Sequence, residues 1–321
     1  MNLLILPFYN YMTKQLTITI EIFKSAIPPA FRTIRWLLSL MIPISLIVTL
    51  LQFFGIIGWV AEFLNPAFKL IGLSGQCAFV FLTSILLNIY SAIAVISSLS
   101  LSMKEITILA VMCLISHNMI IESLIQKKTG TSVVQMVLLR ILSSIFCAFI
   151  LNKILLNDNY QSITQNTLID NTTLSIVMYN WLFNILELSV KVIFFVTSLM
   201  IIQKILERSG IIILISKLLS PVLKIMGLPA KTSFLWIVSN VLGFAYSSAI
   251  IFEEVEKGNL SQKDINLFNY HVSISHSLLE DTLLFLAIGV SMIWLIIPRL
   301  IIAIIAVWLY RFIDFQFLKK Q

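Results

Sequence analysis

The chain has 321 residues, of which 59% are hydrophobic and only 12% charged. Ordinary soluble domains are roughly 45–50% apolar and about 25% charged, so the balance excludes a soluble globular protein and predicts an all-α polytopic membrane protein. The net charge of +7 comes from dispersed basic residues, a pattern that suits anionic lipid headgroups and speaks against nucleic acid as a partner.

The first 34 residues open with MNLLILPFYNYMTKQLTITIEIFK. The stretch lacks a basic n-region and a small-residue cleavage site, so it reads as an amphipathic lead-in (1–34) rather than a signal peptide. A first membrane unit is expected over 35–156. It begins with an apolar span (36–54) and continues with a shorter piece (56–72) carrying Pro66 and Lys69. That piece is too short and too charged for a crossing and reads as re-entrant or interfacial. An apolar span over 78–98 follows, with Asn88, Tyr90 and Ser91 at its centre. A helix over 105–125 carries His117 and Glu122, and a last span holds Arg140 near its start.

The stretch 157–174 is rich in Asn, Thr and Gln and is expected to be an exposed linker. A second unit (175–313) repeats the order, and a short tail (314–321) ends the chain. Its pieces are a span (188–206), an amphipathic piece (211–227) with Pro221 and Lys224, and a span (232–252) with Asn240 and Tyr246. A helix over 265–287 then holds His271, His276, Glu280 and Asp281, and a last span carries Arg299. The count is about eight crossings plus two re-entrant or amphipathic helices.

The two units are copies of one another. ISHNMIIES at 115–123 returns as ISHSLLEDT at 274–282, an offset of 159 that also carries Gly130 to Gly289 and Arg140 to Arg299. NPAFKLIGL at 65–73 returns as SPVLKIMGL at 220–228, an offset of 155. Lys127 and Lys128, Lys204 and Arg208, and Lys319 and Lys320 fall on segments whose side depends on the two ambiguous pieces. Orientation, and whether the repeats are inverted or parallel, therefore stay open at this level.

Small and polar residues at the centres of 78–98 and 232–252 weaken the helix there and free carbonyls for a ligand; close helix packing accounts for them equally well. In the helices that follow, a charge at the bilayer centre costs about 2.5–3.5 kcal/mol on insertion scales. His276 and Glu280 are four apart and would share a helical face. Three explanations compete: internal ion pairs with Arg140 and Arg299, a polar solute or proton relay, and a divalent metal. For the last, His271, His276 and Glu280 are the candidates. Cys77, Cys113 and Cys147 are widely spaced and form neither a disulfide framework nor a zinc signature. GLPAKTS at 227–233 lacks the second glycine of a phosphate loop and follows no strand. No nucleophile–base motif or HExxH occurs, so an enzyme is not expected, nor is a cofactor.

The stretches NIYSAIAVI, ISHNMIIES, VSNVLGFAYSSA and ISHSLLEDT together resemble bacterial membrane proteins with nucleoside-recognition, or Gate, domains. That group includes the spore maturation A and B proteins and the membrane part of FeoB-type ferrous iron transporters. The resemblance covers roughly 35–311 and implies two tandem Gate-type repeats, transporter-like, in a multi-pass bacterial inner (cytoplasmic) membrane protein. The metal-site cysteines of the iron transporters find no counterpart here, and their soluble GTPase is absent. The expected function is a carrier or permease for a small polar solute, with nucleoside chemistry suggested by the resemblance. Its expected contacts are His117, Glu122, His276, Glu280, Asp281, Asn88, Tyr90, Asn240 and Tyr246. The alternatives are a non-transporting scaffold of the spore-maturation type and divalent metal (ferrous iron) permeation. Membrane lipid and a small solute or ion are the expected partners, with a homo-oligomer or a membrane partner protein left open.

Overall fold

The computed structural model describes the backbone of residues 5–155 and 173–318, and side chains within 21–155, 173–244 and 247–315. The expected linker thus lies almost wholly outside the described residues. Every regular element described is helical, and the elements fall into two equivalent series.

In the first series α1 (Ile5–Phe53) runs to Gly55, whose φ of 73° turns the chain sideways into α2 (Ile56–Lys69). The lead-in and first span are thus one helix. With 14 residues, α2 is about 21 Å long, short of the ~30 Å hydrocarbon core. It leaves Trp59 77% and Phe63 83% exposed while burying Ile57. This is an interfacial helix, one of the two alternatives expected. The second series repeats the device: α8 (Leu174–Ser209) ends at Gly210, φ 69°, before the amphipathic α9 (Ile211–Ile225).

The apolar stretches 78–98 and 232–252, expected as crossings, are re-entrant hairpins. α3 (Cys77–Leu86) and α4 (Ile89–Ser97) are only ten and nine residues long, each about half a bilayer. Their outer ends meet, because Gln76 Nε2 donates to the Ser100 carbonyl at 3.2 Å. α10 (Ser233–Val241) and α11 (Phe244–Glu256) close in the same way. There Lys231 Nζ donates to the Asn259 carbonyl at 3.3 Å. These four positions are equivalent: Gln76 and Lys231 differ by the 155 offset, Ser100 and Asn259 by the 159 offset.

The next helix of each series crosses but is broken halfway. α5 (Met103–Ser116) gives way to α6 (Met119–Lys128) at His117 and Asn118. α12 (Gln262–Ser275) gives way to α13 (Glu280–Leu286) over 276–279. α7 (Val133–Ile154) and α14 (Met292–Leu318) complete the series. α5 is buried on all sides from Ile106 to Ser116, as an apolar-all-round helix at the centre of a bundle should be.

Among the described residues, five helical segments are long and apolar enough to cross: Glu21–Phe53, Met103–Lys128, Val133–Ile154, Leu174–Ser209 and Met292–Phe315. The sixth crossing is 262–286, the more polar counterpart of Met103–Lys128. The hairpins reduce the crossings from about eight to six, three in each series. An odd number inverts the second series relative to the first. Contacts between elements agree: Lys104 at the start of α5 donates to the Asn152 carbonyl at the end of α7 (3.1 Å). Gln262 at the start of α12 donates to the Thr129 carbonyl just after α6 (3.2 Å).

Candidate functional site

The breaks in α5–α6 and α12–α13 are built alike. His117 and His276 leave helical geometry with ψ of 160° and 169°. The residues after them, Asn118 and Ser277, are left-handed, with φ of 49° and 51°. They are the only non-glycine residues with positive φ among those described, a conformation that costs roughly 1–2 kcal/mol for an L-residue. Each donates its backbone N–H to the neighbouring hairpin: Asn118 to the Ser84 carbonyl at 2.9 Å, Ser277 to the Ser239 carbonyl at 3.0 Å.

Breaking a helix orphans the carbonyls at its C-terminal end. Here an arginine satisfies them. Arg140, fully buried, donates through Nε to the Ile115 carbonyl (2.7 Å) and through Nη2 to the His117 carbonyl (2.5 Å). Arg299, equally buried, makes the same two bonds to Ile274 and His276. This capping role went unread in the sequence, although the shared offset of the arginines and histidines was its signal.

The two imidazoles meet across the pseudo-symmetry axis with their rings tilted by 40°. Nδ1 of His117 lies 3.1 Å from the Cys113 carbonyl, and Nδ1 of His276 lies 2.7 Å from the Val272 carbonyl. Their Nε2 atoms are 3.3 Å apart. Glu122 Oε1 lies 3.2 Å from His276 Nε2 and 3.5 Å from His117 Nε2. Asp281 Oδ2 lies 3.5 Å from His117 Nε2. Each histidine therefore faces the acid of the opposite repeat as well. The expected pairing of His276 with Glu280 does not form, because the helix ends between them. Glu280 instead accepts a hydrogen bond from the Tyr90 hydroxyl at 2.9 Å.

The two halves differ at their acids. Glu122 Oε2 pairs with Arg140 Nη1 at 2.8 Å. Its counterpart Asp281 is one methylene shorter, and its Oδ2 is buried with no hydrogen-bond donor among the described residues. Arg299 Nη1 is likewise buried without a hydrogen-bond partner there.

The remaining expected residues divide. Asn88 sits at the first hairpin tip and caps α4, accepting from Ser91 N at 2.9 Å. Asn240 Nδ2 donates to the Trp236 carbonyl at 2.8 Å, and its buried Oδ1 has no donor among the described residues. The side chain of Tyr246 lies outside the described residues. His271 is fully buried against Trp236 Nε1 (3.2 Å) and Ser275 Oγ (2.7 Å). The ligand-type atoms that converge belong to His117, His276 and Asp281, so of the three metal candidates only His276 joins them.

A cavity of about 760 Å³ opens onto this centre. Its deep end is Tyr90, His117, Glu122, Ser277, Glu280 and Asp281, with both hairpin tips, Asn88 and Gly243, beside it. Its outer walls are Arg32 and Trp36 of α1 and Gln203, Lys204 and Glu207 of α8, none of them among the solute contacts expected from the sequence. The volume falls within the roughly 300–1,000 Å³ of small-molecule sites.

Comparison with known proteins adds two findings. The Gate family, described as nucleoside recognition, matches residues 34–131, which run from α1 through both breaks of the first series. A Bacillus subtilis (strain 168) protein, the uncharacterized membrane protein YvoD, is 30% identical over 292 residues, spanning 89% of this chain and 92% of that one. No solved structure matches.

Proposed function

The chain belongs to the Gate, or nucleoside recognition, family of membrane proteins, and from that premise we propose that it is a permease for a small polar solute of nucleoside-like chemistry. The observation that carries the reading is the cavity at the convergence of two hairpin tips and two broken helices. Half-helix ends bring backbone partial charges near the bilayer midplane, the arrangement by which repeat-built transporters hold polar cargo. Tyr90 and Glu280 supply a donor–acceptor pair for a solute hydroxyl or base edge. Asn88 and Asn240 supply amide groups at or near the tips. The bacterial relative and the multi-pass fold support a place in the bacterial inner membrane.

Uptake of radiolabelled nucleosides into proteoliposomes tests the proposal. Wild type should accumulate at least one nucleoside above empty vesicles. Tyr90→Phe and Glu280→Gln should each lower the initial rate about tenfold or more, a loss of about 1.4 kcal/mol. Uptake unchanged in both variants would remove the site from the path, and no uptake across a nucleoside panel would overturn the solute class.

A further inference from the structure

We propose that His117 Nε2, His276 Nε2 and a carboxylate oxygen of Asp281 form a binding site for one divalent first-row transition-metal ion of the zinc type, bridging the two repeats, with Glu122 held beside it by Arg140. The site goes beyond the solute reading and stands or falls independently of it.

The first argument is the hydrogen inventory. Each Nδ1 is committed to the carbonyl four residues earlier, 3.1 Å away for His117 and 2.7 Å for His276. A carbonyl only accepts, so each Nδ1 carries the ring's proton and each Nε2 of a neutral ring presents a lone pair. With Asp281 ionised, three acceptor atoms then lie within 4.8 Å of one another with nothing to donate between them. One added proton on a single Nε2 leaves the other imidazole lone pair unanswered. It also leaves Asp281 Oδ2, which is buried and has no donor among the described residues. A cation answers all three.

The second argument is distance. Tetrahedral zinc with bonds of about 2.0–2.2 Å to nitrogen and oxygen holds its ligands roughly 3.3–3.6 Å apart. Within the set, His117 and His276 stand 3.3 Å apart and His117 and Asp281 3.5 Å, and all three ligand atoms lie within 4.8 Å of one another. The two shorter separations exceed the usual 2.7–3.2 Å range of an N–H hydrogen bond, yet lie close to a coordination polyhedron's edge length.

The third argument is what surrounds the set. Metal-bound imidazoles characteristically donate their other N–H to a carbonyl or carboxylate, and ligating carboxylates are themselves held by hydrogen bonds or charges. Both histidines here do the first, and Arg140 holds the outer oxygen of Glu122 at 2.8 Å. Arg140 already pairs with Glu122, so the carboxylate left for a cation is that of Asp281. Imidazole ligands favour zinc, cobalt or iron over magnesium or calcium, which prefer all-oxygen sets.

The test is a cobalt(II) titration of the full-length chain, purified metal-free in detergent. We expect the visible ligand-field absorption of four-coordinate cobalt, saturating at one ion per chain and displaced by zinc. Zinc should also raise Tm while magnesium does not. His276→Gln and Asp281→Asn should weaken cobalt binding about a hundredfold or more, beyond the usual cost of losing an outer-shell partner, and Glu280→Gln should leave it intact. Absence of the absorption in wild type overturns the site whether or not any variant folds. Equal binding by His276→Gln, or an equal Tm response to magnesium, overturns it too. A negative titration alongside intact nucleoside uptake removes the metal and leaves the permease.

Discussion

Arg140 and Arg299 show how single residues make the broken helices affordable. A guanidinium with no exposed surface costs several kcal/mol to desolvate, and each is compensated by two carbonyls at the negative end of a half-helix. Arg140 also has the carboxylate of Glu122. Replacing Arg140 with leucine strands that carboxylate, and a buried pair broken from one side costs about 3–5 kcal/mol. The double variant Arg140→Leu/Glu122→Leu should lose less than the sum of the two singles, with a coupling of about 0.5–3 kcal/mol. Thermal unfolding in detergent reads this cycle, and strict additivity would deny the pair. At this scale much of the site was legible, because histidines and carboxylates in an apolar stretch are conspicuous whatever they do. Their pairing was not. The i, i+4 rule that joined His276 to Glu280 presupposes a continuous helix, and Ser277 in the left-handed region ends it. The partners came instead from the other repeat.

At the scale of elements, the hairpins were the part that sequence concealed. A run of about 20 apolar residues satisfies the length rule for a crossing whether or not it reverses at its middle. The reversals at 87–88 and 242–243 leave a weak trace: an asparagine cap in one copy and a glycine with φ of 88° in the other. The base of the first hairpin packs against α2. Asn65 Oδ1 accepts from the Gly75 backbone N–H at 3.1 Å, and a Cβ added at Gly75 would lie 1.9 Å from the Ala61 carbonyl oxygen. Backbone cannot yield as a side chain can, so Gly75→Ala should push α2 away from the hairpin base and cost about 1–3 kcal/mol. Gly58, on the same helix, has nothing within 4 Å of an added Cβ. Gly58→Ala should therefore stabilise by about 0.5–1 kcal/mol through helix propensity. Opposite Tm shifts for two identical substitutions on or beside one helix would confirm the wedge, and equal shifts would reject it.

For the molecule as a whole, six crossings with inverted repeats turn the distribution of basic residues into a prediction of orientation. The ends of α6, α8 and α14, the starts of α10 and α12, and helix α9 share one face. The Arg208–Glu21 pair at 3.0 Å and the Lys263–Asp314 pair at 2.5 Å tie these elements together. That face gathers Lys127, Lys128, Lys204, Arg208, Lys217, Lys224, Lys231, Lys257, Lys263 and Arg311. The opposite face has Lys69, Lys104 and Lys153 near its helix ends. The positive-inside rule predicts that the first face is cytoplasmic. The cavity walls Arg32, Lys204 and Glu207 lie in the halves of the spanning segments Glu21–Phe53 and Leu174–Ser209 nearer that face, so on that orientation the cavity should open inward. The seams between α6 and α12 and between α13 and α5 differ accordingly. On the basic face Asn269 Nδ2 donates to Thr129 Oγ1 at 2.8 Å beside buried Gln126. At the equivalent places on the other face stand Ala110, Ile288 and Phe285, an apolar seal. A phosphatase reporter fused after Leu155 should be active outside the cell, and one fused at the C-terminus should be inactive. Exchanged activities would invert the orientation and turn the cavity outward. Reporters on the same side would make the number of crossings between them even, and the inverted repeat would fall with it.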